Sequence, residues 1–156
     1  MARFAVTGEE NAVTGSPTTA LSLVSAATIR PAVDYFTGSA GAGTLADQSV
    51  RLTVSRFTAV PTVTAVTPQS LGADGSVSEL ASGTGENASA EGAGQTTGSE
   101  MYDQAIHLRS QAYWWASSEG ARLIMPATAL NGIGYRVIQA SGAYVGPWGV
   151  TSHHVE

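Results

Sequence analysis

Residues Gln104 to Ile138 read QAIHLRSQAYWWASSEGARLIMPATALNGIGYRVI, and this stretch decides the fold. It holds two of the three tryptophans and the clearest alternation of apolar and polar residues in the chain. Side chains alternate between the two faces of a β-strand, so the alternation predicts one long strand from Met101 to Trp115. One face of that strand carries Ile106, Leu108 and Trp114.

The opposite face of the predicted strand is rich in aromatic and guanidinium groups, which bury well at contacts. After a turn at Ser117 to Gly120, the segments ARLIM and GIGYRVIQA predict two further strands, with Leu123 and Ile133 as their apolar anchors. Asn131–Gly132 is a turn signal between them. The reverse face of the long strand contains His107, Arg109, Gln111, Tyr113 and Trp115.

The rest of the chain also favours strands. Val50, Leu52 and Val54 alternate strictly with polar residues, which is typical of a half-buried strand in an antiparallel sheet. A helix is possible from Ala20 to Ile29, but its β-branched residues and the lack of an apolar stripe at helical spacing favour a strand. The final strand runs from Tyr144 to Val155, with a kink at Gly146–Pro147.

Together these segments give eight to ten short strands with frequent Gly, Pro and Asn turns. The sequence therefore predicts an all-β fold, an antiparallel β-sandwich with long loops, little or no helix and jelly-roll wiring. A chain of 156 residues fits a single domain, 1–156. The predicted core consists of Val50, Leu52, Val54, Ile106, Leu108, Trp114, Leu123 and Ile133.

Two segments stand apart from the predicted strands. Residues 1–17 form an N-terminal arm or strand that ends in a loop rich in turn residues. Residues 72–100 form a long acidic loop of Gly, Ser and Ala, in which Val77 and Leu80 are the only large apolar anchors. Such a segment buries too little surface to offset its ordering entropy, so if it is ordered, we expect a neighbouring subunit to order it.

The composition is unusual in its charge. Charged residues make up 12 % of the chain, about half the usual share of roughly 25 %. Lysine is absent, so all seven basic residues are arginines. Protein interfaces are depleted in lysine and enriched in arginine and aromatics, so a surface largely covered by neighbours is one explanation. Compositional bias of a GC-rich genome is the other.

Several classes of function find no support in the sequence. The net charge is −5 and no basic run exists, so no nucleic-acid partner is expected. Cysteine is absent, which excludes disulfides and thiolate metal sites. No signal peptide or run long enough to span a membrane is found, so a soluble protein made in a cytoplasm is expected. No cofactor is predicted.

Catalytic constellations are equally weak. There is no G-x-S-x-G elbow, no identifiable pair of carboxylates and no Gly-rich loop leading into a helix, so we expect no enzyme. His153 and His154 precede Glu156, but neighbouring residues of a strand point to opposite faces and would not hold one ion. We interpret this pair as part of a frayed C-terminus, and His107 as a surface or interface residue.

The aromatic residues are the strongest candidates for binding. Tyr113, Trp114, Trp115 and Trp148 could form a platform on which a sugar stacks, or a protein–protein contact, where Trp, Tyr and Arg are over-represented. Alternation sends Trp114 inward and Trp115 outward, and we favour the protein contact. The hypothesis assigns an interface to Arg109, Tyr113, Trp115 and Trp148, and no metal, cofactor or catalytic residue.

Several segments carry a resemblance to known proteins. The opening MARFAVTG leads through a Thr-rich loop to TALSLVSAATIRP, followed by VRLTVSRFTA, TVTAVTPQSL and the block WWASSEGARLIMPATALNGIGYRV. The chain resembles small β-sandwich virion proteins of tailed bacteriophages, of the kind that lie on the capsid surface as decoration or cement proteins. The resemblance covers most of the chain except Gly72 to Glu100, and its motifs mark strands and turns rather than chemistry.

The resemblance implies a function as well as a fold. It implies a non-enzymatic structural protein, a homotrimer, that binds the outer surface of the major capsid protein and stabilises the shell. Such a protein is synthesised in the host cytoplasm and ends on the virion. The alternatives are a carbohydrate-binding adhesion module displayed on a virion, and a structural component of the tail or neck.

Overall fold

The computed structural model of the protein describes residues 1–11, 13, 15–41, 48–73, 75–95, 99–108, 112–118, 121–141 and 146–156. The described residues form twelve strands. These are β1 (Arg3–Glu10), β2 (Thr18–Val24), β3 (Ala32–Ala40), β4 (Ser49–Phe57), β5 (Thr62–Ala65), β6 (Gln69–Ser70), β7 (Gly85–Ala90), β8 (Glu100–His107), β9 (Ala112–Ala116), β10 (Leu123–Ile124), β11 (Gly132–Ser141) and β12 (Trp148–Val155).

Eight of these strands form a jelly roll. The chain pairs as one long antiparallel ribbon, in which β4 pairs with β8, β3 with β9, β2 with β11 and β1 with β12. The ribbon winds so that alternate pairs lie in opposite sheets, and β12–β3 and β11–β4 contacts complete each sheet. The predicted antiparallel sandwich with jelly-roll wiring is confirmed.

The four remaining strands extend the two sheets. Sheet A has the order β10-β3-β12-β1-β6, and β9 also pairs with β3. Sheet B has the order β5-β7-β2-β11-β4-β8. The segment Thr18–Val24 is a strand, as its β-branched residues predicted, and it lies between β7 and β11.

The hydrophobic core lies between the sheets and is built by strand alternation. In β4, Val50, Leu52 and Val54 all face inward and have no exposed surface. Leu123 is half-buried against the same cluster. Of the residues predicted for the core, Val50, Leu52, Val54, Ile106, Leu108 and Ile133 are buried.

The predicted orientations of Trp114 and Trp115 were wrong, because the two side chains lie on the opposite faces from those expected. Trp114 is 66 % exposed, whereas Trp115 is half-buried and stacks on Phe36 with ring centroids 5.1 Å apart. Residues 101–115 are not one strand, because β8 ends at His107 in sheet B and β9 begins at Ala112 in sheet A. Alternation therefore does not run through the break, and a shift of one residue exchanges the two faces of a strand.

The segment 72–100 is more structured than the predicted loop. It contains β7, which pairs with both β2 and β5. Ahead of β7, the Ala81 amide donates to the Val24 carbonyl at 2.9 Å, and the Val24 amide donates to Thr84 Oγ1 at 3.0 Å. These contacts come from the same chain, so a neighbouring subunit is not required to order them.

Residues 91–95, which we call the strap, follow β7 and cross the outer face of sheet B. Glu91 accepts hydrogen bonds from the Thr19 amide and hydroxyl at 2.7 and 2.6 Å, and the Gln95 carbonyl accepts one from Arg136 at 2.9 Å. Directly after β4, the Thr58 amide donates to the Ala93 carbonyl at 2.8 Å. Thus the protein covers the part of this outer face formed by β2 and β11 with its own chain.

Both ends of the described chain belong to sheet A. β1 lies between β12 and β6, so residues 3–10 are an interior strand rather than a free arm. β12 lies between β1 and β3, which makes the predicted frayed C-terminus wrong. His154 is fully buried on the inner face and its Nε2 lies 3.0 Å from Glu156 Oε1.

Candidate functional site

The outer face of sheet A is not covered by a strap among the described residues, and its side chains form ordered rows. Strand register places Trp114, Thr37, Thr151 and Thr7 directly opposite one another on β9, β3, β12 and β1. Directly opposed side chains in a sheet have Cβ atoms about 5 Å apart, so this row runs as a continuous line across four strands. An exposed indole lies at its end, beside three hydroxyl groups.

The hydroxyl groups of this row keep hydrogen-bonding capacity. Thr37 Oγ1 donates to the Tyr113 carbonyl at 2.7 Å, and the Oγ1 atoms of Thr7 and Thr151 lie 3.0 Å apart. A hydroxyl has one proton and two lone pairs. Thr37 therefore retains acceptor sites, and the Thr7–Thr151 pair retains one proton and further lone pairs for a ligand.

A second row lies next to the first and is aromatic at its centre. Tyr35 of β3 lies opposite His153 of β12, with ring centroids 4.9 Å apart at an interplanar angle of 42°. His153 faces outward here while His154 faces the core, as the alternation of a strand requires. The predicted opposite orientation of the two imidazoles is confirmed, and they cannot chelate one ion.

A β-bulge brings a carboxylate to the same face. Tyr35 pairs with His153 and Val33 with His154, so Asp34 is an extra residue in β3 without a partner on β12. Its carboxylate accepts a hydrogen bond from Arg3 at 2.6 Å, and its carbonyl accepts one from the Ser117 amide at 2.8 Å. Bulges often re-aim a side chain next to a functional site.

These groups line a pocket of about 650 Å³ on the outer face of sheet A. Pockets that hold small ligands have volumes of about 300–1,000 Å³. The walls come from four parts of the chain: β1, β3, β12 and the segment between β9 and β10. The lining residues are Arg3, Asp34, Tyr35, Thr37, Ser117, Arg122, Thr151 and His153.

The pocket has an excess of positive charge although the chain is acidic overall. Arg3 is held by Asp34, whereas Arg122 is exposed and makes no ion pair with any carboxylate in the described part of the chain. Two guanidinium groups and one carboxylate give the pocket a formal charge of +1, against −5 for the whole chain. An anionic group is therefore favoured next to Arg122.

The pocket offers binding chemistry rather than a recognisable reaction. No group of three or more His, Asp or Glu residues that could hold a metal ion occurs within the described ranges. Asp34 is occupied by Arg3, and the Tyr35 and His153 rings contact each other. The arrangement supplies an aromatic pair, hydroxyl groups, one paired carboxylate and the exposed guanidinium of Arg122.

The predicted interface residues do not form one surface. Trp148 is 1 % exposed and belongs to the core, since it begins the inward-facing series of β12. Tyr113 of β9 is half-buried, and its ring centroid lies 5.5 Å from that of Tyr102 of β8. Trp115 is half-buried as described above, and Arg109 lies outside the described residues. His107 is exposed, at the end of β8.

The residues of the pocket were missed by the sequence argument. They come from segments as distant as Arg3, Asp34, Arg122 and His153, and no single motif joins them. Two features of the sequence fall in the pocket: the aromatic residue Tyr35 and one member of the His153–His154 pair. Neither reveals a pocket until the β3–β12 register is known.

Comparisons with known proteins add no identification. Neither a protein-family model, nor a curated protein, nor a solved structure matches the chain. The described residues also contain no helix that is both long and apolar enough to cross a membrane.

Proposed function

We propose that this chain is a non-enzymatic structural protein of a tailed-bacteriophage virion, of the decoration or cement type. In this proposal it binds the outer surface of the major capsid protein, assembles as a homotrimer and stabilises the shell. The proposal combines the sequence resemblance with the open outer face of sheet A. That face is the observation that carries a binding function.

The asymmetry between the two sheets supports this choice of surface. The strap crosses the outer side of sheet B, and Thr19, Gln95 and Arg136 are buried there. The outer side of sheet A carries Trp114, an exposed large aromatic residue on a strand. Trp is among the residues that contribute most at protein interfaces, so Trp114 replaces Trp115 as the residue expected to anchor the partner.

Modest contacts are enough for such a function. A decoration protein is held by its capsid partner and by its own neighbours at the same time, so the second contact forms at a high effective concentration. Individual interfaces near the lower end of the specific range, about 1,200 Å², then give a stable layer.

The decisive experiment has two parts. First, particles produced by the genome that encodes this chain are imaged by cryo-electron microscopy. Density for the protein over the whole shell supports the proposal, density at a single vertex indicates a tail or neck component, and absence from the particle refutes both. Sedimentation of the purified protein tests the trimer.

Second, Trp114→Ala is compared with Leu130→Ala in a capsid-binding assay. Leu130 is also exposed, at 58 %, but it lies in the turn before β11 rather than in the rows of sheet A. Removing a Trp anchor costs about 2 kcal/mol or more, which is roughly 30-fold in affinity per site. Both variants should keep the stability of the unmodified protein, because the two side chains are exposed. Equal capsid binding by both variants contradicts this assignment.

A carbohydrate-binding adhesion module is the second candidate. The observation that favours it is the position of Trp114 beside the hydroxyl row and the pocket. Sugar rings stack their apolar faces on aromatic side chains, while polar groups fix their hydroxyls. Glycan binding without capsid binding would select this candidate over the first.

A further inference from the structure

We propose that the pocket on sheet A is a binding site for a saccharide that bears a carboxylate, with Arg122 as the residue that recognises the acid. This inference rests on the second candidate function and names its ligand class. Three features of the pocket lead to it: the aromatic groups, the hydroxyl groups and the exposed guanidinium of Arg122.

The aromatic groups favour a ring-shaped ligand. The rings of Tyr35 and His153 line the pocket, and Trp114 lies opposite Thr37, which also lines it. The indole is exposed although most large side chains of the chain are buried. A flat aromatic surface beside a polar pocket fits the apolar face of a pyranose ring.

The hydroxyl groups favour a ligand with many hydroxyls of its own. Thr37, Thr151 and Ser117 line the pocket. Thr37 offers acceptor sites, because its proton is donated to the Tyr113 carbonyl, whereas the Thr7–Thr151 pair retains one proton for a ligand. Asp34 adds an acceptor, because its Oδ2 binds Arg3 and its Oδ1 makes no side-chain hydrogen bond with the described residues. These groups can pair with the several hydroxyls of a sugar ring.

The charges favour an acid rather than a neutral sugar. Arg3 and Asp34 compensate each other, so their pair contributes hydrogen bonds but little net charge. Arg122 enters from the segment before β10 and is free of any carboxylate partner among the described residues. A guanidinium and a carboxylate form two parallel hydrogen bonds, the strongest of the common polar pairs.

The test uses acid and neutral members of matched pairs. The probes are trigalacturonic acid with its methyl ester, and sialyllactose with lactose, titrated by calorimetry into the full chain. The acid member of at least one pair should bind at least about 10-fold more tightly than its neutral counterpart, because a charge-assisted hydrogen bond distinguishes them. Its affinity should fall as salt is added, since the site is open to solvent.

Variants separate the roles of the residues. Arg122→Gln should weaken binding of the acid about 10-fold to 100-fold and leave binding of the neutral sugar unchanged. Arg30→Gln is the matched control, because Arg30 is an exposed arginine that does not line the pocket. Trp114→Ala should weaken binding of both sugars.

The outcomes distinguish this inference from the functions proposed above. Equal affinity for the acid and neutral members, or an acid preference that survives Arg122→Gln, overturns the carboxylate assignment and leaves carbohydrate binding in place. Equal binding of a short acidic peptide shows that charge alone is recognised, which overturns the saccharide. Absence of binding by every probe overturns both this inference and the carbohydrate candidate, whereas the capsid assay is unaffected.

Discussion

The hydroxyl groups of Tyr135 and Ser152 form a hydrogen bond inside the core that joins the two sheets, and its removal gives a sharp test of the fold. Tyr135 projects from β11 of sheet B and Ser152 from β12 of sheet A, with their hydroxyl oxygens 2.7 Å apart. Both residues have no exposed surface. We predict that Tyr135→Phe and Ser152→Ala each destabilise the protein.

The expected magnitude follows from what each change leaves behind. Either variant leaves one buried hydroxyl without its partner, which costs about 1–3 kcal/mol. The double variant leaves no orphaned hydroxyl, so its cost should be smaller than the sum of the single costs. The difference, the coupling energy, should be about 0.5–3 kcal/mol. Burial raises the pKa of Tyr135 above its ordinary value, so the phenol stays protonated and the coupling should not change between pH 6 and pH 9, roughly.

The assay is urea unfolding of the four proteins in this double-mutant cycle. For a chain of this size, 1 kcal/mol also shifts the melting temperature by about 2–4 °C, which gives an independent readout. The matched control is the same cycle on Thr7 and Thr151, whose hydroxyls are 3.0 Å apart on the exposed face. That pair should show little coupling because water replaces each lost partner. Strict additivity at Tyr135 and Ser152 would refute the reasoning.

Two further changes test the packing of β11 and the inner face of β12. Gly132→Ala should destabilise by about 1–3 kcal/mol in urea unfolding, because the new methyl group would overlap the Phe57 ring and a carbonyl oxygen of β2. Gly149→Ala, with nothing within 4 Å, is its control and should be near neutral. Burial lowers the pKa of His154, and its contact with Glu156 only partly opposes this, so the unfolded chain binds the proton more readily. The stability associated with His154 is then present above the unfolded pKa of about 6.5 and is lost as the pH falls towards the folded pKa. His154→Gln should flatten this acid dependence in thermal melts, and an unchanged pH profile would contradict it.

Alternation predicted the strands in which apolar residues face inward and polar residues face outward. In β4 and β11 the apolar residues fall at every second position, and each of these strands has a neighbouring strand on both sides in sheet B. The jelly roll followed from the number of strands and the frequency of turns. The pairings themselves were beyond the sequence, because they join residues as distant as Arg3 and Val155.

The errors arose where the chain changes sheets or covers a sheet with polar residues. The chain passes from sheet B to sheet A between β8 and β9, and this exchanged the faces expected for Trp114 and Trp115. No Gly or Pro in the sequence marks the passage. The acidic segment was read as a loop because it lacks large apolar residues. Its order comes instead from backbone pairing in β7 and from Glu91, whose carboxylate binds Thr19.

The pocket on sheet A owes its rigidity to the core beneath it. Tyr35 and Thr37 face outward because Phe36 between them faces inward, where it packs on Trp115, Tyr102 and Tyr135. A one-residue slip of β3 would expose Phe36 and bury two polar side chains, which the core strongly disfavours. The same packing fixes the bulge that aims Asp34 at Arg3. A site built on strands in this way keeps its geometry without a ligand, so binding should need little rearrangement of the backbone. Arg122 lies just ahead of β10 rather than within a strand, and its side chain is exposed. Its guanidinium is therefore the group of the site that can change position to fit a ligand.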